Sequence, residues 1–178
     1  MKIIGITASP HENGNTATLV KKSLEDVAAK GAETEYIDLA KLTIHPCKGC
    51  NYCKAHDTCV QKDDFAGVME KFVGADGILM GSPVYFFDIT AQEKVFIDRL
   101  YACVDGQSQS RIPPGKKMGF IYSQSTPDRN AFDANLDKYN QVAGMLGIEP
   151  VGKFVSVGNV SENPAEIDGA VAIAEKLL

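Results

Sequence analysis

The densest reactive chemistry in the chain lies between Cys47 and Cys59. Four of its five cysteines fall there, in the pattern C-x2-C-x2-C-x5-C. A thiolate is both a nucleophile and a soft metal ligand. Two successive two-residue gaps let three thiolates wrap one compact iron–sulfur cluster, and the longer gap brings in a fourth. The set is Cys47, Cys50, Cys53 and Cys59. Structural zinc usually takes two separated C-x2-C pairs, which this spacing lacks. His56 could complete a Cys3His zinc site but reads first as a solvated loop residue, as does His45 beside the cysteines. Reduced thiols without metal are a third reading. The order of preference is cluster, reduced thiols, zinc.

A second constellation is Ala8-Ser9-Pro10-His11-Glu12-Asn13-Gly14-Asn15-Thr16-Ala17. It follows the apolar run Ile3 to Thr7 and leads into an amphipathic helix expected over Thr18 to Lys30. Strand, polar loop and helix together present backbone N–H groups and a positive helix end to an anion. Ser9, Asn13, Asn15 and Thr16 add short polar groups, and Gly14 supplies turning freedom. The loop reads as a phosphate cradle, or else as an ordinary turn capped by Asn15 or Thr16. A third stretch, Gly81 to Ile89, carries Tyr85, Phe86 and Phe87 after Pro83. Tyr85 and Phe86 could stack on a planar ring. Alternatively the aromatics pack on the domain or across a dimer interface.

Elements that could position these residues are legible from periodicity. Buried strands are expected at 3–7, 33–39, 77–81, 118–122 and 151–157. Helices are expected after Asp63 or Asp64, from the capping box Thr90-Ala91-Gln92-Glu93 through Val104, along the stripe Phe132, Leu136, Tyr139, Ala143 and Leu146, and from Asn163-Pro164 to the end. Five strands alternating with five helices imply a parallel α/β sheet covered on both faces, doubly wound in the order 2-1-3-4-5. One domain is expected over 1–178, with a cysteine-rich insertion at 45–62. Such sheets bind ligands beyond the carboxyl ends of the strands. The loops at 9–16, 82–89 and 123–129 would converge there.

These motifs resemble a known family. Ala8 to Thr16 resembles the phosphate loop of the NAD(P)H-dependent FMN reductases of the flavodoxin-like superfamily. Gly81-Ser82-Pro83-Val84-Tyr85-Phe86, with Thr90-Ala91-Gln92 and Phe96-Ile97-Asp98-Arg99, is similar to that family's isoalloxazine loop and following helix. The resemblance implies that Ser9, His11, Asn15, Thr16 and Ala17 surround the FMN phosphate. It implies that Pro83, Val84, Tyr85 and Phe86 contact the flavin and ribityl chain, and that Ser123 and Gln124 line the ring. The cysteine motif resembles that of the iron–sulfur flavoproteins. This implies a 4Fe–4S cluster on Cys47, Cys50, Cys53 and Cys59, and a dimer or dimer of dimers. Two positions depart from the family pattern: His11 stands where Arg or Lys is usual, and Asp88 where Gly or Asn is more frequent.

Redox chemistry in such a protein belongs to the cofactors, so no catalytic acid or base is named. NAD(P)H, a quinone or a ferredoxin-like protein is the expected electron partner. Three further activities compete: a cluster-free flavin or quinone reductase, a non-enzymatic electron carrier and a zinc-stapled binding module. Asp98 and Arg99 read as members of a structural or interface ion pair, and Cys103 as a buried small hydrophobe. A net charge of −5 argues against nucleic acid or an anionic membrane as partner. No apolar run has the length of a membrane span. Met1-Lys2-Ile3 runs straight into a strand, so no signal peptide is expected and a reducing, cytoplasmic setting is.

Overall fold

The computed structural model describes residues 1–178. Its centre is a five-stranded parallel sheet in the order β2-β1-β3-β4-β5, as the alternation implied. The strands are β1 (Lys2–Thr7), β2 (Glu33–Asp38), β3 (Gly77–Pro83), β4 (Lys117–Gln124) and β5 (Glu149–Val157). In β1 every residue after Lys2 is buried, and in β3 all but Pro83. Strands buried on both faces need continuous apolar runs rather than alternation, and IIGIT and GILMG supply them.

Seven α-helices surround the sheet: α1 (Asn15–Ala29), α2 (Tyr52–Ala55), α3 (Phe65–Gly74), α4 (Ala91–Arg99), α5 (Asp133–Leu136), α6 (Lys138–Met145) and α7 (Ala165–Glu175). Two cores result. Leu19, Val20, Leu24 and Val27 of α1 join Ile173 and Ala174 of α7 against one face. Phe65 and Phe72 of α3, Phe96 of α4 and Tyr139 of α6 fill the other. Glycines let α1 lie directly on the central strands. A Cβ on Gly81 would stand 2.6 Å from Val20 Cγ2, and one on Gly5 2.7 Å from Leu24 Cδ1. No helix is long and apolar enough to cross a membrane.

Four boundaries differ from the expectations. Helix α1 begins at Asn15 rather than Thr18, because Gly14 takes the extended N-cap conformation. The expected helix to Val104 ends at Arg99 and tightens into a 3-10 turn over Leu100–Cys103. The Phe132–Leu146 stripe is carried by two segments, α5 and α6, that meet at Asp137. Pro164 occupies the N-cap of α7 rather than its first turn. The capping box is half formed. Thr90 Oγ1 accepts from Glu93 N–H at 3.3 Å, but the Glu93 carboxyl is buried without a partner on either oxygen.

Candidate functional site

The three loops expected at the carboxyl ends of the strands are laced together there. Ala8 N–H donates to Gly81 O at 2.9 Å, and Val84 N–H to Ser123 O at 2.8 Å. Thr90 Oγ1 donates to Ala8 O at 3.0 Å. The Thr16 and Ser123 hydroxyls meet at 2.6 Å, both buried. One rigid crevice floor results, built from β1, β3 and β4.

At the 9–16 loop, the N–H groups of Asn15, Thr16 and Ala17 make no backbone hydrogen bond. They are the free first-turn donors that suit an anion. Ser9 is buried and its hydroxyl shapes the loop, donating to His11 O at 3.1 Å and accepting from His11 N–H at 3.2 Å. A Cβ on Gly14 would come within 3.0 Å of His11 Cβ. The Asn15 side chain is engaged elsewhere: it donates to Gly158 O at 2.7 Å and accepts from Val160 N–H at 3.2 Å. Asn15 therefore latches the loop after β5 and leaves only its backbone N–H to a ligand. His11 is exposed. A fixed cation reaches the loop by another route, since Lys21 donates to Glu12 O at 3.1 Å. Sequence reading missed it, although helical side chains slant toward the N-terminus and so carry Lys21 back to the loop.

The 82–89 loop ends in a tight reversal. Tyr85 and Asp88 exchange backbone hydrogen bonds at 2.8 and 3.2 Å. Phe86 and Phe87 both adopt positive φ, 51° and 75°. Such a turn normally takes Asn or Gly, so two phenylalanines there hold strain. Phe86 is 95% exposed at the tip. Phe87 instead packs on Phe132, ring centroids 5.5 Å apart. Asp88 serves the loop rather than the crevice. It accepts from Ile89 N–H at 2.8 Å, Lys138 at 2.5 Å and Tyr139 Oη at 2.9 Å. Burial opposes its charge, but these donors outweigh it and hold the carboxyl below the usual range. Gln124 Nε2 donates to Thr126 O and Asp128 O at 3.0 and 2.7 Å, which fixes the third loop, while its Oε1 is buried without a partner.

The four clustered cysteines line one small pocket together with Arg99, Tyr101 and Gly49. All are free thiols. Left-handed turns at Gly49 and Asn51 wrap the chain around it. No three of the Cys, His, Asp or Glu side chains are placed to chelate a metal ion. The loop is anchored from outside. Arg111 donates to Cys53 O at 2.8 Å and pairs with Asp57 at 3.1 Å. Lys54 donates to Tyr101 O at 2.9 Å. Arg99 pairs with Asp63, not with its neighbour Asp98, which takes Lys94 at 2.5 Å. Burial works against the Arg99 charge, yet Asp63 and Cys59 outweigh it and raise its pKa. His56 stacks on Tyr52, outside the thiol pocket, with centroids 3.8 Å apart. Cys103 is buried, its sulfur 3.8 Å from that of Met69.

A cavity of about 740 Å³ lies beside this loop rather than in the crevice, between Ile97 of α4, Leu100 of the following 3-10 turn, and Val142 and Met145 of α6.

Comparison with known proteins fits this geometry. A family model described as NADPH-dependent FMN reductase matches residues 1–162. The chain is 36% identical over 174 residues to an iron-sulfur flavoprotein of Archaeoglobus fulgidus, covering 94% of this chain and 72% of that one. It is 48% identical over 99 residues to an iron-sulfur flavoprotein of Methanocaldococcus jannaschii, 56% of this chain and 51% of that one. There the chain spans about half the relative's length. The NAD(P)H:quinone oxidoreductase of Methanothermobacter marburgensis shares the fold, with a TM-score of 0.76 at 14% identity over 99% of this chain and 96% of that one. The fold is flavodoxin-like, and the chain belongs to the NADPH-dependent FMN reductase family.

Proposed function

We propose that this protein is an FMN-dependent oxidoreductase in which Cys47, Cys50, Cys53 and Cys59 hold a 4Fe–4S cluster as electron partner of the flavin. The observation that carries the flavin half is the laced crevice: three free N–H groups at the start of α1 face one end, and the aromatic loop borders the other. The N–H groups of Asn15, Thr16 and Ala17 and the hydroxyl of Thr16 would hold the FMN phosphate, with Ser9 shaping the loop around it. Pro83, Val84, Tyr85 and Phe86 would flank the isoalloxazine and ribityl chain, with Ser123 and Gln124 beneath. The unpartnered Gln124 Oε1 is an acceptor suited to a donor on the ring edge. FMN, when bound, supplies both hydride and single-electron chemistry. The chain binds and orients it and contributes no acid or base.

The cluster half is carried by four thiols around one pocket, while no three groups converge on one ion. Four thiolates on a single zinc at about 2.3 Å must crowd together. A four-iron cluster spreads one ligand to each iron and tolerates wider spacing. Zinc is therefore disfavoured. When bound, the cluster supplies a one-electron centre. The same lack of convergence supports the second reading, a cluster-free NAD(P)H-dependent flavin or quinone reductase. NAD(P)H or a quinone is the electron partner proposed in either case, ferredoxin belongs to the carrier alternative, and a homodimer or homotetramer is the proposed assembly.

One anaerobic absorption spectrum, with iron and sulfide assays, separates these readings. FMN gives two visible bands. A cluster adds broad absorbance that bleaches on reduction. Cys50→Ser is expected to lose that absorbance and iron while keeping FMN. Unchanged iron content would refute the cluster, and a protein that binds no FMN would refute the whole reading.

A further inference from the structure

The pocket lined by the four cysteines has a buried cation in its wall. Arg99 comes from the last turn of α4, far in sequence from the cysteines, and its side chain is 1% exposed. Its terminal nitrogens are fully engaged. Nη1 donates to His45 O at 2.7 Å and to Asp63 Oδ2 at 2.8 Å, and Nη2 to Asp63 Oδ1 at 3.1 Å. His45 N–H returns to Asp63 Oδ2 at 3.0 Å. His45 and Asp63 flank the cysteine segment, so this fork closes the neck of the loop. The Phe65 ring lies under the guanidinium, 4.4 Å away.

One edge is left over. Arg99 Nε–H is buried and has no hydrogen-bond partner. An unpaired buried donor, on a charged group above all, is costly and calls for a partner. Asp63 takes the fork end of the guanidinium, so the ion pair keeps a positive edge. Cys59 lines the same small pocket as Arg99, together with the other three clustered thiols.

We propose that Arg99 is a positioning residue of the cysteine centre, closing the loop's neck and turning a fixed positive edge toward Cys59 so that the reduced, more anionic state of the bound cluster is favoured. The inference rests on the cluster reading of Cys47, Cys50, Cys53 and Cys59. Its redox step is the gain of one electron, from dithionite in the titration below, with no bond formed and no proton moved. Each electron adds one negative charge to a thiolate-bound centre, and a nearby buried cation offsets it. Charge and hydrogen bonds at the sulfurs are known levers on cluster potential.

The test uses the full chain, reconstituted anaerobically with FMN, iron and sulfide, as wild type, Arg99→Lys and Arg99→Gln. Iron, sulfide and FMN are counted, and the cluster potential is read by dithionite titration with paramagnetic resonance detection. Arg99→Lys keeps the charge and is expected to hold a cluster whose reduced-to-oxidised ratio stays within about tenfold of wild type at any set potential. Arg99→Gln is expected to lower that ratio by at least about tenfold, which is 59 mV for a one-electron couple. Loss of iron in Arg99→Gln alone supports the proposal as well. A fully loaded Arg99→Gln with the wild-type potential overturns it. So does equal iron loss in both variants with FMN retained, which would make Arg99 a clamp only. If Arg99→Gln does not fold, Asp63→Asn decides, since removing the counter-charge must shift the potential upward and an unchanged potential overturns the proposal. Wild type that takes up no iron or sulfide refutes the cluster reading itself, a result distinct from a loaded wild type with unresponsive variants.

Discussion

Glu93 offers the most quantitative check on the physical picture. It stands in the first turn of α4, at the foot of the aromatic loop, with its side chain fully buried. Neither carboxyl oxygen has a hydrogen-bond partner, and the nearby Ser82 hydroxyl donates to Pro83 O at 2.9 Å. Burial pushes its pKa from 4.5 up to about 8, with Ser82 opposing in part and Asp88 adding to the rise. The native protein thus keeps a proton that the unfolded chain releases near 4.5. The stability this contributes is complete below the unfolded value and is lost as pH climbs toward about 8. A one-proton difference between the states is worth about 1.4 kcal/mol per pH unit. From about pH 5 to about pH 7.5 the loss is on the order of 3 kcal/mol. Glu93→Gln keeps the shape and removes the titration. Urea unfolding of both proteins across that range is expected to show the variant gaining on wild type by that amount as pH rises. The slope is the observable, because the amide brings its own unpaired donors and shifts the intercept. A stability difference that does not change with pH would refute a neutral buried Glu93.

Other perturbations address the crevice. Gly81→Ala places a Cβ 2.6 Å from Val20 and 3.1 Å from Thr16 Cγ2, and overpacking of this kind is expected to cost about 1–3 kcal/mol in denaturant unfolding. Thr16→Val leaves the buried Ser123 hydroxyl without its 2.6 Å partner. FMN affinity, followed by flavin fluorescence, is expected to fall about tenfold or more; unchanged affinity would remove Thr16 from the phosphate site. Phe86→Gly relieves a positive φ of 51° at an exposed tip. Stability is expected to rise by about 1 kcal/mol while FMN affinity drops several-fold through lost stacking of about 0.5–1.5 kcal/mol. A rise in stability with full affinity would mean that the Phe86 ring does not face the flavin.

The architecture and the two candidate motifs were legible because their signals are local. IIGIT and GILMG read as strands buried on both faces, since such strands are continuous apolar runs. The Ser9–Ala17 loop and the C-x2-C-x2-C-x5-C segment stood out in the sequence, since each set of candidate groups sits within one short stretch of backbone. Alternation of strands and helices then implied the order 2-1-3-4-5, because right-handed crossovers leave few alternatives. What each polar side chain does with its hydrogen bonds was not legible. Asn15 reads as a phosphate donor but latches Gly158 and Val160. Asp88 reads as a departure from the family pattern but anchors its loop to Lys138 and Tyr139. Glu93 reads as a capping-box partner but is buried alone. Arg99 reads with Asp98 but pairs with Asp63, 36 positions away. Periodicity and spacing are properties of neighbouring residues and survive in one dimension. The partner of a buried charge is fixed by whichever groups the packed core leaves within reach, and only the folded chain supplies those distances.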